Sequence, residues 1–325
     1  MRVFFPLKMK KADFHISSNH SNGLDSIEFL INLAFSRQTN YLSITDQDSI
    51  SGLEEAAELS REKGITFIPG VELSTHILYT NLQGQEVKRE IHLLGYNFDI
   101  NNPELNERLS EMRTAKILRF LKVGKRLNEM LTKDGYSSVP EEVLLRLSSG
   151  IGTPGRDMLA RWLHQNGIAS NEGEAFTKWL KSIQIPKITL PFEDAAKLIR
   201  GAGGFTSLAH PLYGFASFMP LIYEDSGYTG DMKLPEIPEL LLHHHFVDLL
   251  DPYLPYIDGM GVFYSGQSDL RTNVSKEVAI QNEKVITGGG DHRGIQTKYD
   301  KLGLVDIPEK YIDAFLLECG ILTGH

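Results

Sequence analysis

The sequence is poor in three things, and each shortage narrows what the protein can be. It holds one cysteine, Cys319, in 325 residues, so no internal disulfide can form. Near the end of a helix-like C-terminal segment, that thiol reads as a packing residue rather than a nucleophile. No apolar run approaches the roughly 18 residues that span a bilayer. The opening, residues 1–8, is too short and too quickly charged for a secretory signal, so a cytoplasmic protein without membrane contact is expected. A positive charge balance is also missing: 42 acids against 33 Lys and Arg leave a net charge of −9, which argues against wholesale coating of nucleic acid. A small phosphorylated ligand held by a few local cations fits that balance.

What is present is a soluble, core-forming composition, 41% hydrophobic, long enough for one or two domains. The stretch Ala12 to Gly23 runs from a short apolar strand into imidazole, hydroxyl and amide side chains and closes on an Asn-Gly turn. Asp25 or Ser26 can cap a helix with Ile27, Leu30, Ile31 and Ala34 at helical spacing. A buried strand over 41–45 ends on Asp46, a Glu- and Ala-rich helix stops at Gly64, and a third strand, Thr66 to Val71, ends on Glu72. This strand and helix alternation predicts parallel strands with helices outside, as a barrel or a doubly wound sheet.

Leu78 to Ile91 reads as a hairpin extension with its tip at Asn81 to Gln85, and the returning strand carries His92. From Pro103 the texture turns helical, over 104–132, 141–148, 155–166 and 172–182. A helical insertion over 103–190 is therefore expected inside an α/β domain formed by 1–102 and 191–325. The alternation resumes with a helix ending near Gly204, a strand over Phe205 to Ala209 before His210, and a strand over Gly259 to Phe263 before Tyr264. A last strand, Lys284 to Thr287, runs into Gly288-Gly289-Gly290-Asp291-His292-Arg293. Between 212 and 257 only a helix around Leu240 to Leu250 stands out.

Seven strand-like runs thus end at or near His15, Asp46, Glu72, His92, His210, Tyr264 and Asp291. In a parallel barrel all strand C-termini open on one face, so these side chains would converge. Imidazole and carboxylate are the donors that hold zinc, manganese or iron, and a shared Glu can bridge two cations. The glycine run before Asp291 has no Lys-Ser or Lys-Thr after it and is no nucleotide-triphosphatase phosphate loop. Close approach of backbone to the metal site accounts for it. His243-His244-His245 reads as a surface or packing run, because adjacent helical residues point about 100° apart. Lys116, Arg119, Lys122, Lys125 and Arg126 read as a solvated helix face.

The motifs Asp-Phe-His-Ile-Ser-Ser, Ile-Thr-Asp-Gln-Asp, Pro-Gly-Val-Glu-Leu-Ser, Ile-His-Leu-Leu-Gly-Tyr, Leu-Ala-His-Pro and Gly-Gly-Gly-Asp-His-Arg-Gly occur in that order. Together they resemble those of the polymerase and histidinol phosphatase (PHP) family, most closely its branch acting on nucleotides and short RNA. The resemblance covers nearly the whole chain and implies an α/β fold, a distorted seven-stranded β/α barrel with up to three divalent metals that hydrolyses phosphate esters. It also implies a pattern of losses. Ser17 stands where the family has a histidine, and Asn22, Gln47 and Arg293 stand at the positions serving a further metal. His15, Glu72 and Asp291 would remain for one ion, and Glu72, His92 and His210 for another. One or two ions of zinc, manganese or iron are therefore expected rather than three.

On this reading Asp291, His292 and Arg293 are the candidate catalytic residues, with Arg293 a fixed cation in place of the lost metal. His20 and His292 read otherwise as surface or loop histidines. Arg156 and Arg161 match a family segment that faces substrate and are the candidate substrate-binding residues. The expected ligand is a nucleotide, a short RNA or a similar small phosphorylated molecule. The rival expectation is a catalytically degenerate barrel that binds or regulates.

Overall fold

The computed structural model describes residues 10–81, 84–150, 152–214, 216–225, 238–295 and 300–322. The opening residues 1–8, read above as no secretory signal, and residues 82–83 of the hairpin tip lie outside them. Every residue of strand β1 (Ala12–Ile16) is buried, as expected for a strand covered on both faces. Helix α1 (Ile27–Ser36) follows, capped by Ser26, whose side chain accepts from Phe29 N at 3.2 Å. Next come β2 (Tyr41–Ile44), α2 (Leu53–Glu62) and the two-residue strand β3 (Thr66–Phe67). These three strands form a parallel sheet in the order β1-β2-β3.

The expected third strand does not run unbroken to Glu72. Pro69 has no N–H to give a ladder, so pairing with β2 stops and a new strand, β4 (Gly70–Thr80), begins with Glu72 inside it. Its partner β5 (Glu86–Tyr96) closes the hairpin, and Asn81 N bonds Gln85 O at 2.9 Å at the tip. A hairpin's returning strand must run antiparallel. β5 accordingly pairs antiparallel with both β4 and β7 (Phe205–Leu208). The expectation that every strand opens its C-terminus on one face therefore fails for β5, which delivers His92 from its middle.

Helix α3 (Pro103–Lys133) is capped by Asn102 with proline in its first turn. It is followed by α4 (Glu141–Ser149), α5 (Arg156–Gln165) and α6 (Glu172–Ala175), the last passing into a π turn over Phe176–Leu180. Phe120, Leu127, Leu163 and Trp179 form a core of their own in this helical stretch. The chain then returns through β6 (Leu190–Pro191) and α7 (Phe192–Gly201) to β7, α8 (Met219–Asp225) and α9 (Glu239–Leu250). A 3-10 turn over Asp251–Tyr256 leads to β8 (Gly259–Tyr264), α10 (Asp269–Gln281), β9 (Val285–Gly289) and α11 (Glu309–Glu318).

The second sheet has the order β6-β4-β5-β7-β8-β9. Isolated parallel bridges join the two sheets at both flanks, Ile16 to His292 on one side and Gln47 to Glu72 on the other. The result is an α/β fold of alternating strands and helices that resembles a distorted β/α barrel. Phe14, Tyr96, Phe205 and Phe315 pack between the sheets and α11, and Cys319 belongs to that cluster. Burial pushes the Cys319 thiol up to about 12, so it is inert at neutral pH.

One buried carboxylate ties the seam between β1 and β9. Asp13 accepts from the backbone N–H of His15 at 3.1 Å, Gly290 at 2.9 Å and Gly303 at 2.7 Å. The glycine run belongs to the same seam. A Cβ at Gly289 would collide with His15 N and stand 2.7 Å from His15 Cβ and from Asp13 Oδ1, so the backbone there comes close to β1 at His15, a residue of the site described below. Asp13→Ala leaves three buried donors without an acceptor, each costing about 1–3 kcal/mol. Urea unfolding is expected to show a loss of about 3 kcal/mol or more, and a loss below about 1 kcal/mol would show that the seam is held by packing instead.

Candidate metal centre

The fold gathers three imidazoles around one carboxylate. Glu72 Oε1 lies 2.9 Å from His92 Nδ1, 3.2 Å from His15 Nε2 and 3.3 Å from His210 Nε2. β1 brings His15, β4 brings Glu72, β5 brings His92, and the turn after β7 brings His210 at a backbone φ of +28°. The rings of His15 and His210 stack at 5.6 Å and 14°. Donor atoms of His15, Glu72 and His210 all lie within 4.8 Å of one another. Asp291, at φ +47°, sets Oδ1 3.9 Å from His15 Nε2.

Burial alone would raise Glu72, but the His92 and His15 charges outweigh it and hold the carboxyl well below its usual range. In return, burial would lower His92, while Glu72 pushes it up to about 9. His15 is raised in the same way, against its own burial. Burial wins only at His210, which is lowered. A buried anion amid imidazoles is the donor set that a borderline divalent cation takes.

The unsatisfied atoms agree with that chemistry. The 3.2 Å approach of His15 Nε2 to Glu72 lacks hydrogen-bond geometry, and His15 Nε2, Glu72 Oε2, His210 Nδ1 and Ser17 Oγ have no hydrogen-bond partner among the described residues. Buried polar atoms rarely stay unpaired without a role. The residues thus fit a cation at His15, Glu72 and His210, with His92 and Asp291 at its margin.

Other expected members have different work. Asp46 is consumed by Ser18 N at 2.7 Å, Ser18 Oγ at 2.6 Å and the Ser21 hydroxyl, which fold the turn after β1. Gln47 Nε2 lies 3.2 Å from His92 Nε2, and Asn22 Nδ2 donates to Gln47 Oε1 at 3.3 Å. This chain of neutral amides fills the ground beside His92. His292 is neither a surface histidine nor a group facing the cleft: it is fully buried, Nε2 lies 3.1 Å from Asp25, and Nδ1 accepts from Lys301 N and Leu302 N at 3.2 and 3.3 Å. With both ring nitrogens engaged, it has none left for proton transfer and acts as a structural clasp. Arg293 sets Nε and Nη2 each 3.1 Å from Asp291 Oδ1. His20 Nδ1 lies 2.8 Å from Ser51 Oγ, and the His243–His245 run forms no three-ligand group among the described residues.

A cavity of about 510 Å³, lined by His92, His210 and Asp291, opens on the centre, and a second of about 470 Å³ adjoins it, sharing Asn22, Gln47, Lys187 and Arg293. Arg156 and Arg161 both line the second cavity. Arg156 sits 5.1 Å over the Phe176 ring with Nη1 on Leu180 O at 3.2 Å, while Arg161 pairs with Glu172 at 3.2 Å. Lys116 and Arg119 line it too, so that part of the basic run is not a solvated face; Lys116 pairs with buried Asp48. Their i, i+3 spacing puts both on one face of α3. Lys187 carried no sequence signal.

No family model matches the chain. A 5′-3′ exoribonuclease of Haemophilus influenzae is 33% identical over 206 residues, covering 62% of this chain and 69% of that protein. The chain belongs to the PHP family of metal-dependent phosphoesterases. A 5′-3′ exoribonuclease of Escherichia coli is 31% identical over 61% of this chain and 64% of its own length. The chain therefore spans about two thirds of these relatives. A 3′,5′-nucleoside bisphosphate phosphatase of Chromobacterium violaceum is 27% identical over 80% of this chain and 87% of that protein. Two solved structures share the fold at 21% identity. One, from Bifidobacterium adolescentis and assigned as a metal-dependent phosphoesterase, covers 95% of this chain and 96% of its own at a TM-score of 0.68. The other, an amidohydrolase of Chromobacterium violaceum, covers 94% and 96% at 0.67. Within the PHP family this site is reduced: its His, Glu and His set suits one or two divalent ions rather than three.

Tyr264 supports the set from behind. Its hydroxyl lies 3.1 Å from His15 Nδ1, and its ring meets His15 and His210 edge-on at 5.6 and 5.8 Å. Burial pushes the phenol well above its usual range, so it stays protonated. With His15 Nε2 free as a donor atom, Nδ1 carries the proton and the phenol oxygen accepts it. Tyr264→Phe is expected to weaken manganese binding, read by calorimetric titration, about tenfold or more. Unchanged affinity would show that Tyr264 only fills space.

Proposed function

We propose that this protein hydrolyses a phosphate ester of a nucleotide, a short RNA or a similar small phosphorylated substrate. The observation that carries this reading is a juxtaposition: the buried His15, Glu72 and His210 donors lie at a cavity lined by His210, Lys187 and Arg293, and Arg156 lines the cavity adjoining it. Such cations suit an anionic substrate in a protein whose net charge is −9. The names of the exoribonuclease and bisphosphatase relatives support the same substrate class. A cytoplasmic setting belongs to this reading.

The reading takes 1–102 and 191–325 as one distorted β/α barrel, seven-stranded when β3 and β4 count as one stave and the two-residue β6 is left out, and 103–190 as a helical insertion. Two observations support the division: the bridges at both flanks of the sheets, and the separate core around Trp179. The barrel holds the chemistry. The insertion supplies Arg156 and Arg161 for the substrate.

His15, Glu72 and His210 would hold the cation, zinc, manganese or iron, with His92 and Asp291 as further donors. When bound, the metal supplies Lewis acidity and acidifies water. Arg293 is charged at any working pH and is steadied by Asp291, so it meets phosphoryl oxygens without a reorganisation of its own. Asp291 thereby orients Arg293 as well as facing the metal donors. His292 keeps the Asp291–Arg293 turn in place through Asp25 and the 301–302 backbone.

Protein purified without chelator is expected to carry about one to two equivalents of transition metal. It should release phosphate from a nucleoside bisphosphate or short RNA, and Glu72→Ala should abolish both metal content and turnover. Arg293→Ala is expected to keep the metal and lower kcat about 100-fold. Protein that binds nucleotide while metal-free, and stays inactive with added manganese, zinc or iron, would replace this reading with a binding or regulatory one.

A further inference from the structure

The β4–β5 hairpin carries a polar ramp away from the metal centre. Its register pairs Glu72 with Leu94, Ser74 with His92, His76 with Glu90 and Leu78 with Lys88. Side chains two apart along a strand share a face. His92, Glu90 and Lys88 therefore lie on the face that carries Glu72, and Lys88 stands roughly 14 Å outward from His92 at about 3.4 Å per residue. Over the outer part of this face lies a further cavity of about 400 Å³, lined by His76, Lys88, Glu90, Arg119, Arg156 and Lys187 among others. It shares Arg119, Arg156 and Lys187 with the 470 Å³ cavity, so the two adjoin.

The charges along this path are arranged for an anion. Glu90 is the one carboxylate lining the outer cavity among the described residues, and both of its oxygens are taken by Lys187 at 2.8 Å. Arg119 donates Nε to Ile185 O at 2.9 Å, and Arg156 donates to Leu180 O. Both guanidinium groups are thus held by backbone carbonyls, which fix them without neutralising them. They also repel each other: burial first, and then the Arg156 charge, lowers Arg119. Like charges held together this way favour an anion between them. The exposed Phe176 ring under Arg156, with Ile185 and Pro186 beside the cations, adds apolar surface of the kind on which bases stack.

We propose that a single-stranded nucleic acid runs from the metal centre out along the β4–β5 hairpin, its backbone phosphates beyond the reacting one gripped by Arg119, Arg156 and Lys88, with Lys187 masking the Glu90 carboxylate. This inference rests on the phosphate-ester reading above. It adds that affinity grows with chain length, which a pocket for one mononucleotide would not show.

The test is binding of single-stranded oligoribonucleotides of two and eight residues with hydrolysis-resistant phosphorothioate links, over a range of salt. The octamer is expected to bind at least tenfold more tightly than the dimer. Lys88→Glu, a change at an exposed side chain, should cut octamer affinity at least fivefold and reduce its salt slope by about 0.7. Arg126→Glu, which alters charge on an outer face where Arg126 pairs with Glu129, should not. Equal affinity for the two lengths, or equal losses in the two variants, would overturn the track. So would inorganic polyphosphate displacing the octamer as well as RNA does. Because turnover is not read, a protein that hydrolyses nothing yet passes this test keeps the track and loses the catalytic reading, and one that hydrolyses nucleotides but fails it loses only the track.

Discussion

The structure depends on one buried anion, the carboxylate of Glu72, which is 1% exposed and met by three imidazoles. An ionised carboxylate taken out of water without partners costs several kcal/mol. Here the partners come from β1, β5 and the turn after β7, so the segments that stabilise the anion are also those that must be in register for the site to exist. The bridge between Gln47 and Glu72 and the Asp13 seam on the far flank hold that register from both sides. The folding requirement and the functional one thus fall on the same strands.

Around this centre the two halves of the molecule differ in character. The strands supply donors with little freedom: His15 is backed by Tyr264, and the ground beside His92 is filled by Gln47 and Asn22. The helical stretch supplies long cationic side chains fixed by backbone carbonyls and an aromatic ring. Lys116, reaching from α3 to buried Asp48, ties the two together. Amides and a guanidinium occupy the positions that serve a further metal in the family resemblance, and the guanidinium there is paired with Asp291.

Much of this was legible in the sequence because strand ends and turn residues announce themselves. His15, Glu72, His210 and Asp291 follow short apolar runs, and the structure brings them within reach of one another. The helices from 103 onward also declared themselves by their helical pattern. The antiparallel course of β5 did not follow from alternation alone, although the hairpin already implied it. Pro69 was the missed cue that β3 ends early and that Glu72 lies inside a new strand. His292 was misread for a different reason: whether a histidine faces a cleft or clasps a loop depends on Asp25 and on the 301–302 backbone, both remote in sequence. Lys187 and Arg119 gain their place only through tertiary packing, which no local pattern records.

The central claim is that Glu72, His15 and His210 form a metal centre reduced from the three-ion family pattern. Anomalous diffraction at the manganese edge, from crystals grown with that ion, tests it most directly. One or two peaks are expected at these three residues, reaching toward His92 or Asp291, and none between Asn22, Gln47 and Arg293. A peak at that third position, or manganese bound elsewhere with Glu72 still paired only to its histidines, would contradict it.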